Sequence, residues 1–420
     1  ASMVGSMGAE ASASIGLMET TMWLLGSICS ATAAGFYVQV SHQLGSNDPA
    51  RARSTLRQGI MSVLVVSALL GLVSLAVSPF LPTWLGGNSH ITPTASAYFA
   101  IVATALPIFQ FSIFGAGMLR SSGNMVVPSV MSVVMMSLDV VFNFFLIFPT
   151  RPVELFGTQI MMPGMGMGVM GAAIGTVSAE LVAASITMYI LCFRSKELSL
   201  RIDTGRFLPT WGVVKRALHI SLPMGLQQTI MCSAYVMTTI IIAPLGTFAI
   251  AANSFGIIIE SLCYMPGYGI ADAATTLVGQ SMGAGRHELM KRFAWLSVGL
   301  GVTVMAVMGV VMYVGAPTAM AMMTPAEEVR RLGVEVLRIE AFAEPMFAAA
   351  IVSYGVFVGA AKTLVPSIMN LVSIWGVRIS LAAMLAPSMG LRGVWIAMCI
   401  ELCFRGLIFL VKLKFCNIQT

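Results

Sequence analysis

The chain has 420 residues, 57% of them hydrophobic and only 10% charged, with a mean hydropathy of +0.89. A soluble domain carries roughly 25% charged residues, so this composition excludes a water-soluble globule and points to a bilayer as solvent. The formal charge of +6 would suit nucleic acid if it were clustered, but it is sorted by side of the membrane, which excludes that partner.

Apolar runs predict eleven spanning helices. The first covers 14–40 and is followed by VSHQLGSNDPARAR and a second run at 59–85. A third, at 95–118, carries Pro107 well inside it. The fourth, at 127–148, opens with the phrase MVVPSVM and holds Asp139 and Asn143. After a polar stretch, TRPVELFGTQIMMPGM, a fifth run at 167–193 holds Thr176 and Glu180. A basic segment, 194–216, separates these from 220–244, which carries Gln227, Gln228 and Tyr235. The run 250–278 carries Glu260, Tyr264, Tyr268 and Asp272, with Pro266 among them. Then come 293–316, 335–360 with Glu340, Glu344 and Pro345, 365–386 with Arg378, and 390–413 with Glu401 and Arg405.

Loop charge sets the orientation. Sixteen Lys and Arg residues, from Arg51 to Lys414, fall in one set of loops, and four (Arg151, Arg330, Arg331 and Arg392) in the other. By the positive-inside rule the first set and the C-terminus are cytoplasmic. The seven cysteines are scattered without a CxxC, and the four histidines lie far apart. Neither a disulfide framework nor a metal site is expected, beyond a possible Na⁺, and no cofactor.

The sequence repeats itself. MVVPSVM at 125–131 returns as TLVPSIM at 363–369, an offset of 238. The same offset pairs Pro79 with Pro317, Pro107 with Pro345, Gly45 with Gly283, Gly71 with Gly309, and Gly117 with Gly355. Near the end of each half MGVMG at 167–171 matches MGLRG at 389–393, an offset of 222, so the first half carries 16 extra residues around 150–165. The span 220–244 has its counterpart at −18 to 6, which implies a twelve-span protein whose first helix survives here as a remnant. The expected fold is therefore an all-α polytopic membrane protein of two parallel six-helix lobes, related by a pseudo-two-fold along the membrane normal. The lobes would be 1–193 and 217–420, joined by a cytoplasmic linker at 194–216. Pro128 and Pro366 follow cytoplasmic loops and suit first helical turns. Pro107, Pro266 and Pro345 lie deeper and are expected to bend their helices.

Ionisable groups inside spans are functional candidates by default. At about 1.5 Å per residue, Asp139 and Glu180 come out on one level, and Asn143 and Thr176 on the next. The spacing of four places Asp139 with Asn143, and Thr176 with Glu180, on shared helix faces. Together they would form an oxygen-rich pocket for a proton or Na⁺, or a buried cluster that only locks two helices together. Arg378 and Glu401 also come out level, with Arg405 one turn from Glu401, as a structural Arg–Glu–Arg network. Glu260, Tyr264, Tyr268, Asp272, Glu344, Gln227, Gln228 and Tyr235 are candidates for a cavity wall. The 33 methionines suit either an adaptable cavity or plain lipid-facing surface.

These features in this order resemble the multidrug and toxic compound extrusion (MATE) family. The resemblance runs through VSHQLGSNDPARAR, GMLRSSGNMVVPS and LDVVFNFFLIF, then MPGYGIADAATTLVGQSMGAGR, GVFVGAAKTLVPS and GLRGVWIAMCIELCFRG. It implies a central cavity between two lobes. It also implies efflux of amphipathic, often cationic drug-like compounds in exchange for H⁺ or Na⁺, by a monomer in the bacterial plasma membrane, and no enzymatic activity. It also implies a first-lobe cation site on which Asp139, Asn143 and Thr176 fall, with Asp and Asn in swapped order. A seventh-helix Glu used by some members is absent here. The rival reading is a lipid-linked precursor flippase of related architecture, which would want a more cationic cavity.

Overall fold

The computed structural model describes residues 9–87, 89–155 and 158–415. The expected first-helix remnant at the start of the chain lies outside the described residues. The chain divides into two compact units, Ala1–Val40 with Asp48–Leu218, and Ser41–Asn47 with His219–Thr420. Among the described residues nine helices are long and apolar enough to cross a membrane, or eleven when each of two bent pairs counts as one span. The eleven predicted spans all have a counterpart. Their ends differ.

In the first unit α1 (Ala9–Gly45) is followed by α2 (Pro49–Val77) and the short α3 (Leu81–Trp84). Helix α2 starts ten residues before the predicted span. Asp48 caps it, accepting from the Arg51 N–H at 3.1 Å, and Pro49 supplies a first residue with no N–H to satisfy. The early start takes Arg53 and Arg57 into the helix, both nearly fully buried. Their charge is met by Asp203. Arg53 Nε donates to its carboxylate at 2.8 Å, Arg57 bonds the other oxygen, and Arg53 also donates to the Glu197 carbonyl at 3.0 Å. Gln58 Oε1 accepts from the Thr210 N–H and hydroxyl at 2.9 and 3.0 Å. Much of the 194–216 segment is thus a strap fastened to the first unit. The two guanidiniums hold the Asp203 carboxyl below the usual carboxylate range.

The pair α4 (Thr92–Thr104) and α5 (Leu106–Ser121) bends by 47°. Pro107 sits in the first turn of α5, where a missing N–H allows a new helix to begin at an angle. Helix α6 (Val126–Ile147) follows, with Pro128 in its first turn. The segment predicted as an inserted loop is an antiparallel hairpin, β1 (Pro149–Leu155) against β2 (Thr158–Met165), pairing Arg151 with Met162. It is the one departure from an all-helical chain among the described residues. Helix α7 (Gly168–Tyr189) runs into a π-helical turn, Ile190–Arg194.

Helix α8 (Trp211–Ile242) leads into the second unit, followed by α9 (Thr247–Gly283) and α10 (His287–Met323). The pair α11 (Glu327–Ala341) and α12 (Glu344–Gly359) bends by 57°, with Pro345 in the first turn of α12. Then come α13 (Leu364–Val372), a π-helical stretch Ser373–Ile379, α14 (Ser380–Met389) and α15 (Leu391–Phe415). Pro366 lies in the first turn of α13. At Pro266, where a bend is expected, α9 is continuous and the proline lies within the helix. The helices approach closely there: a Cβ on Gly267 would fall on Met305 Sδ of α10.

The repeat reaches backbone conformation. Asn47 and Gly285, 238 apart, both take positive φ (59° and 66°). So do Gly123 and Ala361, at 87° and 58°. Each of the latter pair closes a helix in the same way: Gly123 donates to the Arg120 carbonyl and Asn124 to Leu119, as Ala361 donates to Val358 and Lys362 to Phe357. Helices cross closely over small residues, as in other membrane bundles. A Cβ on Gly355 of α12 would meet the Ala271 carbonyl of α9 at 2.6 Å, and one on Gly359 the Thr275 carbonyl at 2.4 Å.

Candidate functional site

In the first unit α6 and α7 cross at Gly171 and Gly175. A Cβ on Gly171 would lie 2.5 Å from the Leu146 carbonyl, and one on Gly175 would lie 2.2 Å from Asn143 Oδ1. This crossing brings Asn143, one of the predicted group, against α7. Asn143 lies against Gly175, the residue before Thr176, and Asp139 is one turn earlier on α6. Glu180, one turn further along α7, is buried and takes a hydrogen bond from Ser112 of α5. The Asp139 charge acts on Glu180 as a like charge. Asp139 Oδ1 and Asn143 Oδ1 are both buried atoms without a hydrogen-bond partner. Tyr98 of α4 lies in the field of Asp139 and of Glu19 on α1. Glu19 went unrecognised in the sequence, because nothing in its spacing tied it to α6.

The second unit gathers more charge. Glu401 of α15 is fully buried and accepts four hydrogen bonds. Arg405 reaches both of its oxygens, at 2.8 and 2.9 Å, Arg378 donates at 3.2 Å and the Ser373 hydroxyl at 2.6 Å. The π-helical stretch carries both Ser373 and Arg378 to this one carboxylate. The predicted Arg378–Glu401–Arg405 contacts are therefore present, with Ser373 added.

Glu260, Glu340 and Glu344 surround this network without such partners. Glu340 closes α11 and Glu344 opens α12, on either side of the 57° bend, and both are fully buried. All four of their carboxyl oxygens are buried without a hydrogen-bond partner. Glu260 is buried as well and acts as a charge on both, and Arg378 acts on Glu260 and Glu340. Four carboxyls thus meet two guanidiniums, and both guanidiniums already serve Glu401. In a medium that penalises isolated charge this heavily, an unpaired carboxyl is a candidate to take up a proton or a small cation.

The stripe Glu260–Tyr264–Tyr268 lines up along α9. Tyr264 stacks edge-on to Tyr268 and to Phe347, with ring centroids 5.7 and 5.5 Å apart. Asp272 continues the stripe at an exposed position. On α8, Gln227 is buried and donates to Met231 Sδ at 3.5 Å, Gln228 is half-buried, and Tyr235 is exposed. Tyr235 and Arg378 help to line a small enclosed recess with Met231, Ala234, Thr238 and Ile374. Among the described residues no group of three or more His, Cys, Asp or Glu side chains has the arrangement of a metal site. The six described cysteines are free thiols.

Comparison with known proteins gives a consistent picture. The profile of the MatE family matches residues 1–145 and 223–384. The probable multidrug resistance protein NorM of Thermotoga maritima is 24% identical over 402 residues, covering 94% of this chain and 83% of that relative. The FAD transporter of Shewanella oneidensis is 24% identical over 297 residues, 70% of this chain and 62% of that one. Crystal structures of MATE in straight and bent conformations match with TM-scores of 0.88 and 0.86. Each is at 18% identity and covers 99% of this chain; the straight one is covered to 90% and the bent one to 89%.

Proposed function

The chain belongs to the MatE family, a family of transporters and not of enzymes, and we propose that it is a secondary-active antiporter that exports amphipathic cationic compounds in exchange for H⁺ or Na⁺. One observation carries the reading. Glu340 and Glu344 are buried beside a bent helix pair with four unpartnered carboxyl oxygens. A purely structural acid would have the donors that Glu401 has. Asp139, with Asn143 and Thr176, gives the first unit a second candidate for the coupling ion.

In this mechanism the coupling ion enters along its gradient and occupies an acid. Occupancy changes the charge beside the bend and so biases which conformation the helices adopt; drug binding is favoured in the other. Each uncompensated inward charge adds about 2.3 kcal/mol per 100 mV of potential. An excess of acids over bases favours cationic cargo, which argues against a flippase for a diphosphate-bearing lipid. The sorting of the basic loops supports an orientation with those loops and the C-terminus cytoplasmic, and the likeness to bacterial multidrug resistance proteins supports export across the plasma membrane as the reading.

The test is efflux of a cationic dye from vesicles containing the full chain, under an imposed pH or Na⁺ gradient. Asp139→Asn and Glu344→Gln are each expected to reduce gradient-driven efflux at least about tenfold. Normal transport by both variants under both gradients would sink the proposed coupling sites. Absence of gradient dependence in the unaltered protein would sink the antiport.

A further inference from the structure

A second feature of the second unit is open to the outside of the bundle and is not used by the coupling reading. An open groove of about 340 Å³ runs along the bend between α11 and α12. Its walls are Tyr313 of α10, Arg338, Ile339 and Phe342 beside the bend, and Ile396 and Ile400 of α15. The lining is apolar and aromatic but for one guanidinium. Phe342 is 72% exposed and packs edge-on to Tyr313 with centroids 5.8 Å apart.

Arg338 is held in place but not neutralised. Its Nε donates to the Tyr313 carbonyl at 3.3 Å, and its guanidinium lies 5.1 Å from the Tyr313 ring centroid. Among the described residues no carboxylate lies within ion-pair distance of it. Glu335, one turn away on α11, is already paired with Arg392 at 2.6 Å. Cys399 forms part of the groove lining and lies within the field of Glu340, which itself is fully buried. The terminal nitrogens of Arg338 therefore remain free to donate to an anion from outside the chain.

The depth fits a lipid headgroup. Helix α11 begins with the charged run EEVRRL at 327–332, which carries Arg330 and Arg331 of the outer loop set. Arg338 lies roughly 5–10 Å past the end of that run, within the reach over which arginine extends toward the headgroups. We propose that this groove binds an anionic phospholipid, with its phosphate on Arg338 and an acyl chain along Ile339, Phe342, Ile396 and Ile400. By the charge-based orientation it is a lipid of the outer leaflet. Its occupant braces the bend that separates Glu340 from Glu344, so lipid composition would tune the proposed conformational change.

The experiment is native mass spectrometry of the purified full chain, titrated with phosphatidylglycerol, phosphatidylcholine or inorganic phosphate. The unaltered protein should retain phosphatidylglycerol about fivefold more tightly than phosphatidylcholine, the value of one cationic side chain at an anionic lipid surface. Inorganic phosphate alone should not be retained, since the acyl chain supplies the rest. Arg338→Gln should lower phosphatidylglycerol to the phosphatidylcholine level. Ile400→Trp, which fills the groove and leaves the charge, should weaken retention of phosphatidylglycerol. Equal retention of both lipids by the unaltered protein, or undiminished phosphatidylglycerol binding by both variants, would overturn the site. Tight binding of inorganic phosphate alone would overturn its assignment to a lipid.

Discussion

Two buried glutamates in the second unit should respond in opposite ways to the same substitution. Glu401→Gln removes the carboxylate that accepts four hydrogen bonds, three of them from guanidiniums. Arg405 and Arg378, 9% and 12% exposed, would then lose their ion-pair partner. Breaking a buried pair on one side costs about 3–5 kcal/mol. Glu260 and Glu340 also act on Arg378 and can take up part of its charge, so the lower end, about 3 kcal/mol, is the expected loss. Glu344→Gln replaces a carboxyl that has no hydrogen-bond partner by a neutral amide of the same shape, and should change stability by less than about 1 kcal/mol. The assay is thermal unfolding of the full chain in detergent, followed by intrinsic fluorescence. Glu401→Gln should fall by several degrees, on the order of 5 °C or more, while Glu344→Gln stays near the parent and loses gradient-driven efflux. Equal destabilisation by the two variants would refute the division into a structural and a coupling acid. A silent Glu401→Gln would refute the role given to the Arg–Glu network.

Three further outcomes follow from particular contacts. Asp203→Asn removes the carboxylate shared by Arg53 and Arg57 and should lower stability by about 2 kcal/mol, less than a fully buried pair because Asp203 is partly solvated. Because the folded-state pKa of Asp203 is depressed, that contribution is full above the ordinary value of about 3.9 and is lost as pH falls through the lower folded value; unfolding measured from pH 7 down to pH 3 should show the variant and parent converging. Ala361→Gly should stabilise by about 0.5–1 kcal/mol, since Ala361 holds φ of 58° where glycine at the repeat position 123 pays no Cβ penalty; an unchanged or lowered unfolding midpoint contradicts it. Gly175→Ala would push a methyl to 2.2 Å from Asn143 Oδ1, so dye efflux should fall more than an overpacking loss of about 1–2 kcal/mol explains; a loss of stability with full efflux would place Asn143 outside the coupling site.

The hydropathy pattern and the 238-residue offset disclosed the eleven spans, the repeat and the two prolines at real bends. These are local or periodic signals, and the bilayer leaves few alternatives for them. The start of α2 was not legible, because Arg53 and Arg57 look like loop charges until Asp203, about 150 residues away, neutralises them. The hairpin at 149–165 was visible only as an insertion, since its strands are too short and mixed to announce themselves. Glu340 was seen beside Glu344, but only the folded bundle shows that neither has a donor. The π-helical stretch that brings Ser373 and Arg378 to Glu401 leaves no mark in composition at all.

The duplication also explains why the coupling candidates fall on different helices in the two halves. Asp139 and Glu180 in the first unit correspond, within one residue, to Arg378 and Glu401 in the second. At that level the first unit holds two like charges and the second an ion pair. Once Arg378 neutralises Glu401, this helix pair in the second unit has no spare acid to carry an ion. The unpartnered acids there are instead Glu340 and Glu344, whose repeat positions in the first unit are Val102 and Leu106, both buried and apolar. Neither half therefore duplicates the other's candidate. If both bind the coupling ion, the Asp139→Asn and Glu344→Gln effects on efflux should multiply, whereas a single coupling site would make the double variant no worse than the more severe single one.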